Sequence, residues 1–262
     1  MLELIMLLVV GLIAGLAGGL LGIGGGIILM PVLRFALELP PAEAAGTCVM
    51  AVFFTTLGGG FKHYRLGHAP LRFLYPVIVS GAVSTLLFSM LFMYFASKGH
   101  WLDLGIGMVF LLVSLRMIVD GIRLRRKEDA DEDSMEELNN SPAPKIILGG
   151  AAGLLPGLFG IGTGAILVPG FTYLLNAPIK VAIGSALVCF AVNAAISATM
   201  KTAQGHVDLA LALPLCAGTA SGAWVGAIIN RRTPSAALRL LFGLAFSGVA
   251  LRFIWGAVEA WK

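Results

Sequence analysis

Charged residues are scarce in this sequence. Of its 262 residues only 12% are charged, and 58% are hydrophobic, whereas an average soluble domain has about 25% charged residues. Half of the fourteen acidic residues also lie in one short stretch, 128–137. These absences exclude an ordinary soluble domain. We expect a multi-pass protein of the cell inner membrane, with its Lys and Arg residues mostly at helix ends, where they orient the chain in the bilayer.

Motifs for catalysis and metal binding are missing as well. The sequence has no Gly-x-x-x-x-Gly-Lys-Ser/Thr loop for nucleotide phosphates, no His/Cys metal cluster and no nucleophile triad. We therefore expect no enzyme, no cofactor and no bound metal. No acid pair inside the apolar runs resembles a relay for cations or protons, which suits an anionic substrate. Three cysteines lie in apolar runs and are predicted to be buried free thiols: Cys48, Cys189 and Cys216.

What the sequence does contain is an internal repeat. Residues 22–26, Gly-Ile-Gly-Gly-Gly, return 138 positions later as residues 160–164, Gly-Ile-Gly-Thr-Gly. The same offset pairs Pro31 with Pro169. Because the register stays constant, we predict a duplicated chain. Its parts are an N-terminal membrane repeat (1–124), a charged cytoplasmic linker (125–145) and a C-terminal membrane repeat (146–262).

Each repeat is predicted to begin with an interrupted helix. The apolar run 4–39 would be roughly 54 Å long as one helix, while the hydrocarbon core of a bilayer is about 30 Å thick. Its glycine cluster lies in the middle, which favours two shorter helices joined at a break, and the run 146–175 repeats this plan. The predicted fold class is an all-α integral membrane protein of two inverted-topology repeats, each a broken or re-entrant helix pair followed by three transmembrane helices. The further spans are predicted at 44–61, 73–96, 102–122, 181–200, 209–229 and 236–255.

Loop charges favour the inverted arrangement. The loop with Lys62 and Arg65 is basic, so the positive-inside rule places it in the cytoplasm. The loop with Arg231 and Arg232 lies on the same side if the second broken segment enters and leaves the membrane on one side, or crosses it twice, and not if it crosses once. Each half then has an odd number of full crossings, which inverts the second half. We expect a cysteine near Arg231 to resist an impermeant thiol reagent added from outside.

The two breaks are the predicted substrate site. In the bilayer, N–H groups that a break frees must find a partner or line a cavity. The helix N-terminus after each break has partial positive charge and unpaired donors, and such ends bind anions. Close packing is the alternative, and we assign to packing the stripes of a glycine every fourth residue that start at Gly11 and Gly149. The predicted substrate-binding residues at the breaks are Gly24, Gly25, Gly26, Gly162, Thr163 and Gly164.

Polar side chains in the helices after the breaks complete the predicted site. Hydroxyls in membrane helices usually bond their own backbone, but an amide in mid-span is unfavourable without a partner. For the hydroxyls at the helix starts, the sequence leaves capping and ligand contact open. These additional substrate-binding candidates are Thr47, Thr55, Ser185 and Asn193.

Four basic residues lie near predicted span ends. Arg34 and Lys201 either draw anions in or snorkel to the membrane surface. His68 and His206 each follow a glycine, and we predict a role in turns for both rather than proton transfer.

With these motifs the sequence resembles the sulfite exporter TauE/SafE family of membrane proteins. The resemblance covers both halves and rests on the glycine-rich segments 15–26 and 153–164, followed by Pro31 and Pro169. The later steps 45–47, Ala-Gly-Thr, and 183–185, Ile-Gly-Ser, also fit. The resemblance implies transport of sulfur-containing oxyanions such as sulfite or organosulfonates. The second copy departs from the all-glycine form at Pro156 and at Thr163, which adds a hydroxyl beside the site.

The resulting prediction is a secondary transporter that moves a small sulfur oxyanion across the inner membrane by alternating access. An anion channel of the same fold and a non-transporting membrane scaffold that docks through its linker are the alternatives. The expected partners are the small anion and the lipid bilayer, with no nucleic acid. The sequence leaves a coupling proton or other ion and a homodimer open.

Overall fold

The structure is a computed structural model that describes residues 2–125, 141–229 and 235–259. Seven of its helices are long and apolar enough to cross a membrane, and the chain is a multi-pass membrane protein, as predicted. Most of the predicted linker and the Arg231–Arg232 loop lie outside the described residues, which contain no strand. The helices are α1 (Leu2–Leu21), α2 (Gly26–Pro31), α3 (Pro41–Arg65), α4 (Leu71–Ala96), α5 (Gly99–Arg125), α6 (Pro142–Leu154), α7 (Gly164–Leu174), α8 (Ile179–Ala203), α9 (Leu209–Ile229) and α10 (Ser235–Glu259).

Both predicted breaks are present in the backbone. Non-helical residues separate α1 from α2, and others separate α7 from the helical segment that follows α6. Several glycines in these connections have positive φ, a conformation that glycine adopts without a steric penalty. They are Gly22, Gly24 and Gly25 in the first break, with φ of 72°, 80° and 72°, and Gly160 in the second, with φ of 67°.

Each broken pair also contains a five-residue π-helical segment beside a proline. One segment, Val32–Ala36, follows Pro31, and the other, Leu155–Phe159, includes Pro156. Proline has no N–H group and its ring crowds the preceding turn, so a regular α-helical hydrogen bond is lost there. A wider π turn accommodates that loss, and such turns are frequent at functional sites.

The repeat seen in the sequence is also a repeat in the packing. With the 138-residue offset, α3 corresponds to α8 and α4 corresponds to α9. Helix α1 packs mainly on α9, and its counterpart α6 packs mainly on α4. Likewise α3 packs on α9 while α8 packs on α4, and the pairs α3–α8 and α5–α10 map onto themselves. Each half therefore packs its first helix on a helix of the other half, and the two interfaces are equivalent by the repeat.

The glycine stripes form these interfaces, as predicted. A Cβ at Gly11 would lie 2.7 Å from the carbonyl oxygen of Leu215, and Gly19 packs farther along on Ala223. The contacts run in the same order along both helices, so α1 and α9 are parallel. The counterpart stripe on α6 packs on α4 in the same way, through Gly149, Gly153 and Gly157 against Val77, Gly81 and Thr85.

The outer surface is strongly apolar. Large hydrophobic side chains are exposed along several helices, among them Tyr75 and Leu87 on α4 and Trp255 on α10, with exposed fractions of 69%, 61% and 69%. In water such a surface would be an aggregation hazard, whereas in a bilayer it faces lipid tails. The most enclosed long helices are α3 and α8, and the breaks lie beside them.

Candidate functional site

The two breaks lie against each other inside the bundle. Gly164 packs on the carbonyl of Gly22, and Gly162 packs on the carbonyl of Ile23. A Cβ at Gly26 would lie 3.0 Å from the backbone nitrogen of Gly162. All five residues are buried. Because backbone touches backbone here, only residues without a side chain allow the two halves to approach this closely.

Gly24 and Gly25 differ in their surroundings. A Cβ at Gly24 would lie 2.5 Å from the Phe190 ring and 3.1 Å from Val52, so Gly24 fits between α3 and α8. Gly25 packs back on its own half, where a Cβ would lie 2.6 Å from the carbonyl oxygen of Ala14. Of the five glycines predicted to bind substrate, the structure thus leaves Gly25 on the α1 side. It brings the other four together: Gly24, Gly26, Gly162 and Gly164. Their role in substrate binding stays a prediction.

Thr163 supplies the only hydroxyl within the two break sequences. It precedes α7 as the N-cap residue, yet its side chain makes no capping hydrogen bond. The residue is fully buried, and Oγ1 has no hydrogen-bond partner among the described residues. A buried polar group without a partner costs about 1–3 kcal/mol. A ligand that accepts a hydrogen bond at this point would remove that cost.

Thr47 and Ser185 occupy equivalent positions, but only one has a partner. Thr47 Oγ1 accepts a 3.0 Å hydrogen bond from the backbone N–H of Asp208. With the repeat offset, the residue that would donate to Ser185 is Pro70, which has no N–H group. Ser185 Oγ is accordingly buried without a partner among the described residues. Thr47 therefore ties α3 to the loop before α9, and Ser185 has an unused hydroxyl.

Thr55 and Asn193 are the second equivalent pair. Thr55 Oγ1 donates to the carbonyl of Ala51 in its own helix at 3.2 Å, the usual habit of hydroxyls in membrane helices. The Asn193 amide packs against Gly81 on α4, where a Cβ would lie 2.9 Å from Nδ2. Its Oδ1 is buried without a partner in the described part of the chain. The sequence argument required a partner for this amide, and the described residues do not supply one to Oδ1.

Lys201 is a functional candidate for which the structure excludes one of the two roles that the sequence left open. The side chain is fully buried, so it does not snorkel. Its ammonium donates to the carbonyls of Pro156 and Gly157 at 3.0 and 2.6 Å and to Ser197 Oγ at 3.1 Å. These carbonyls belong to the last turn before the second break, where helix geometry leaves carbonyls unpaired. Lys201 thus caps the helix that leads into the break.

His63 is the counterpart of Lys201 and has the equivalent partner. It is fully buried, and its Nε2 lies 3.4 Å from the carbonyl of Gly19, the residue that corresponds to Gly157. Since a carbonyl only accepts, Nε2 bears the proton, and in the neutral ring Nδ1 then accepts from His68 Nδ1 at 3.2 Å. The 138-residue repeat offset pairs His63 with Lys201. That pairing was the feature of the sequence from which the two equivalent helix caps could have been found.

The histidines after Gly67 and Gly205 lie in turns, as predicted. The backbone N–H of His68 donates to the carbonyl of His63, and that of His206 donates to the carbonyl of Lys201, both at 3.0 Å. Each preceding glycine has positive φ, 77° and 76°. The two loops are therefore built alike at their two places in the repeat.

Two cavities lie near the broken segments. One, of about 40 Å³, is lined by Leu21 and Ile23 from the first break, by Gly164 and Ala165 from the second, and by Arg116 of α5. The other, of about 270 Å³, lies where α3 and α5 begin. Within the described part of the chain, no three His, Cys, Asp or Glu side chains are grouped to hold a metal ion.

Arg34 lines the larger cavity and is held by an acid. Its Nε and one terminal nitrogen donate to the two oxygens of Asp103 at 2.9 and 2.7 Å, and the other terminal nitrogen donates to the carbonyl of Leu39 at 3.1 Å. Such paired, charge-assisted hydrogen bonds fix the plane of the guanidinium. Arg34 therefore does not extend freely toward lipid headgroups.

Comparison with known proteins identifies the family. Residues 7–253 match the family model described as sulfite exporter TauE/SafE. The chain belongs to this family. The match spans both glycine-rich breaks.

Two bacterial relatives of the TauE/SafE chain are similar to it over nearly their whole length. The probable membrane transporter proteins YunE and YdhB of Bacillus subtilis are 25% and 28% identical to it. The alignments cover 98% and 95% of this chain and 99% and 100% of those proteins. Sulfite exporter TauE/SafE family protein 3 of Arabidopsis thaliana is 37% identical over 71 residues, which are 27% of this chain and 15% of that protein. No solved structure matches the chain.

Proposed function

We propose that this chain is a secondary transporter that moves a small sulfur-containing oxyanion, such as sulfite or a sulfonate, across the inner membrane by alternating access. The family description names sulfite export, and full-length relatives are named probable membrane transporters. The observation that carries the proposal is the buried hydroxyl of Thr163, which has no partner among the described residues and lies beside the meeting point of the two breaks.

An oxyanion at this point would accept hydrogen bonds from the Thr163 hydroxyl and from the backbone N–H groups at the start of α7. Hydrogen bonds to ionised oxygens are roughly twice as strong as those between neutral groups. The helix N-terminus adds partial positive charge, and the glycines let the backbone approach without a Cβ. The small cavity beside both breaks offers an approach past Arg116.

The helix directions support an inverted repeat. Helix α3 runs parallel to α9, because Thr47 lies by Asp208 while Gly59 lies by Ala223 farther along. Helix α1 is parallel to α9 as well. Helix α4 follows α3 after the short loop 66–70 and so runs the other way, and α6 is parallel to α4. The first helices of the two halves thus point in opposite directions, the arrangement on which rocking about a fixed midplane site depends.

Counterflow in proteoliposomes tests the proposal. The purified chain is reconstituted, the vesicles are loaded with unlabelled sulfite, and entry of labelled sulfite is followed. A carrier predicts saturable entry that the internal sulfite accelerates. Entry that internal sulfite does not accelerate would identify the channel alternative, and entry no faster than in protein-free vesicles would reject transport of this anion.

A further inference from the structure

The ammonium of Lys201 is buried among neutral partners only. It lies near the end of α8 and donates to the carbonyls of Pro156 and Gly157 and to the hydroxyl oxygen of Ser197. We call these three acceptors the lysine cage. The structure records no salt bridge for Lys201 among the described residues. An ionised ammonium without a counter-charge is unfavourable in an apolar interior, and an ionisable side chain at such a place in a membrane protein marks a substrate or proton pathway.

The lysine cage is close to both breaks. Gly157, which accepts the shortest hydrogen bond from Nζ, comes shortly before Gly160, where the second break begins. Cys48 of α3 lies within electrostatic range of Nζ, and its thiol donates to the carbonyl of Gly26 in the first glycine cluster at 3.7 Å. In secondary transporters with broken helices, coupling ions bind at the carbonyl ends of the half-helices. The Lys201 ammonium occupies such a place.

Ser197 allows the cage to hold Lys201 with or without its extra proton. The ammonium has three N–H donors for the three acceptors, while the Ser197 hydroxyl donates to the carbonyl of Pro156. Release of one proton to water leaves an amine with two N–H donors and a lone pair. The Ser197 hydroxyl can then rotate and donate to that lone pair, and the two N–H groups still bond the carbonyls. Each group of the cage therefore has a partner in both states.

The cage is present in the second half only. With the repeat offset, the position of Ser197 corresponds to Gly59 and that of Lys201 to His63. His63 therefore has no hydroxyl at the equivalent place, and its contacts are the carbonyl of Gly19 and the ring of His68. One site of this kind per chain corresponds to one proton per transport cycle.

Two other titratable side chains face Lys201 from its surroundings. The Cys48 thiol is buried and donates its hydrogen to a carbonyl, so it carries no charge. His206 packs edge-on against Phe92 at 5.5 Å between ring centroids, and Nζ lies 4.1 Å from the centre of the same Phe92 ring. Neither side chain supplies negative charge. An anion bound between the breaks would supply it and would make the charged state of Lys201 more favourable.

We infer that Lys201 is the coupling-proton site of the transporter, which holds a proton while the anion is bound between the breaks and releases that proton to water after the anion has left. The inference rests on the proposed function and names its coupling ion. By linkage, the proton and the anion each strengthen the binding of the other. One proton therefore crosses with each anion in the same direction, and the empty carrier returns with a neutral amine at Lys201.

A proton gradient across proteoliposomes that contain the purified full-length chain tests the coupling. The outside is made more acidic than the inside, the membrane voltage is clamped, and uptake of labelled sulfite is followed. With one proton per anion, a gradient of about one pH unit supports up to about tenfold accumulation. The unmodified chain should accumulate sulfite, and a protonophore should abolish the accumulation. Uptake that never exceeds the level in protein-free vesicles would overturn the inference.

Two variants of fixed charge assign the coupling to Lys201. Lys201→Arg is always charged, so it should keep sulfite exchange in the counterflow assay, which needs only the loaded form, and lose accumulation. Lys201→Gln has no charge, so it should raise the KM for exchange about tenfold, a typical size for coupled binding, and lose accumulation as well. Lys98→Arg, at an exposed lysine, is the matched control and should accumulate sulfite as the unmodified chain does. If Lys201→Arg fails to fold, Lys201→Gln decides.

These outcomes separate the proton site from the proposed function. Sulfite itself takes up a proton near neutral pH, and this happens equally with every variant. Accumulation that persists in Lys201→Arg would therefore be carried by protonated sulfite, and it would overturn the proton site while exchange keeps the proposed function intact. An unmodified chain that neither exchanges nor accumulates sulfite refutes the proposed function, and the coupling with it. Accumulation by the unmodified chain and by Lys98→Arg, together with its loss in both Lys201 variants, is the result expected for a proton site at Lys201.

Discussion

The ammonium of Lys201 donates a 2.6 Å hydrogen bond to the carbonyl of Gly157, in the last turn before the second break. Its counterpart His63 lies 3.4 Å from the carbonyl of Gly19 before the first break. Both side chains therefore cap the carbonyl end of a broken helix, and the Lys201 ammonium adds the positive charge that the helix dipole favours there. Nζ of Lys201 donates two hydrogen bonds to carbonyls in the second half, whereas His63 makes a single long contact in the first, so the two broken helices are capped unequally.

Lys201→Met is expected to destabilise the protein. It removes the hydrogen bonds from Nζ to the carbonyls of Pro156 and Gly157. The Pro156 carbonyl keeps its bond from Ser197 Oγ, so the loss is mainly that of the Gly157 partner, for which we expect about 1–3 kcal/mol. Lys201→Arg should keep part of this stability, because it retains charge and donors. The measurement is the midpoint temperature of unfolding in detergent. Lys98→Met, at an exposed lysine beside Tyr94, is the control, and a Lys201→Met midpoint equal to that of the control contradicts the cap.

Two adjacent glycines provide a matched test of the helix interfaces. A Cβ at Gly149 would overlap with the carbonyl of Val77 and with Ser80, whereas a Cβ at Gly150 meets nothing within 4 Å. Gly149→Ala should lower the free energy of unfolding by about 1–3 kcal/mol through overpacking. Gly150→Ala should leave it unchanged or raise it by up to about 1 kcal/mol, because alanine favours the helix. Equal midpoints for the two variants would contradict the packing of α6 on α4.

Thr47 and Ser185 should respond differently to loss of their hydroxyls. Thr47→Val leaves the N–H of Asp208 without its partner and is expected to cost about 1–3 kcal/mol. Ser185→Ala removes a hydroxyl that has no partner among the described residues, so the unfolding midpoint should not fall. If Ser185 contacts the substrate, its variant instead raises the KM for transport. A Ser185→Ala variant that is as unstable as Thr47→Val would show that Ser185 has a structural partner.

Labelling of single cysteines tests the inverted topology. Arg65 and Ala203 are equivalent exposed residues at the ends of α3 and α8. Arg65→Cys and Ala203→Cys should react with an impermeant thiol reagent from opposite sides of the membrane. The unmodified chain is the control and should not react, since its three cysteines are buried. Reaction of both variants from the same side rules out inverted repeats.

The breaks and the glycine stripes were predictable because their causes are local. A glycine cluster in an apolar run too long for one crossing indicates a break, and a glycine every fourth residue indicates a close helix contact. Two helices were predicted to start a few residues too late, at 44 and 146, whereas they begin at Pro41 and Pro142. Proline is favoured in the first turn of a helix, so the sequence did contain that signal.

The buried polar groups were harder to predict because their surroundings come from distant segments. Lys201 is near the end of α8, where a long basic side chain ordinarily reaches water. Its burial depends on the π segment before the second break and on Phe92 of α4, whose ring centre lies 4.1 Å from Nζ. Likewise, the missing partner of Ser185 follows from Pro70, more than a hundred positions away. In the sequence, residues this far apart can be related to each other only through the constant 138-residue offset of the repeat.

The kinetics of Thr163→Val in reconstituted vesicles test the anion site at the breaks most directly. Valine has nearly the same shape and removes only the hydroxyl, so the variant should fold at least as stably as the unmodified chain. A hydrogen bond to a charged group contributes about 1.5–3 kcal/mol, so the KM for sulfite should rise about ten- to a hundredfold. Thr172→Val on the same helix, where the hydroxyl bonds Val168, should leave the KM unchanged. A Thr163→Val protein with the KM of the unmodified chain would contradict an anion site between the two breaks.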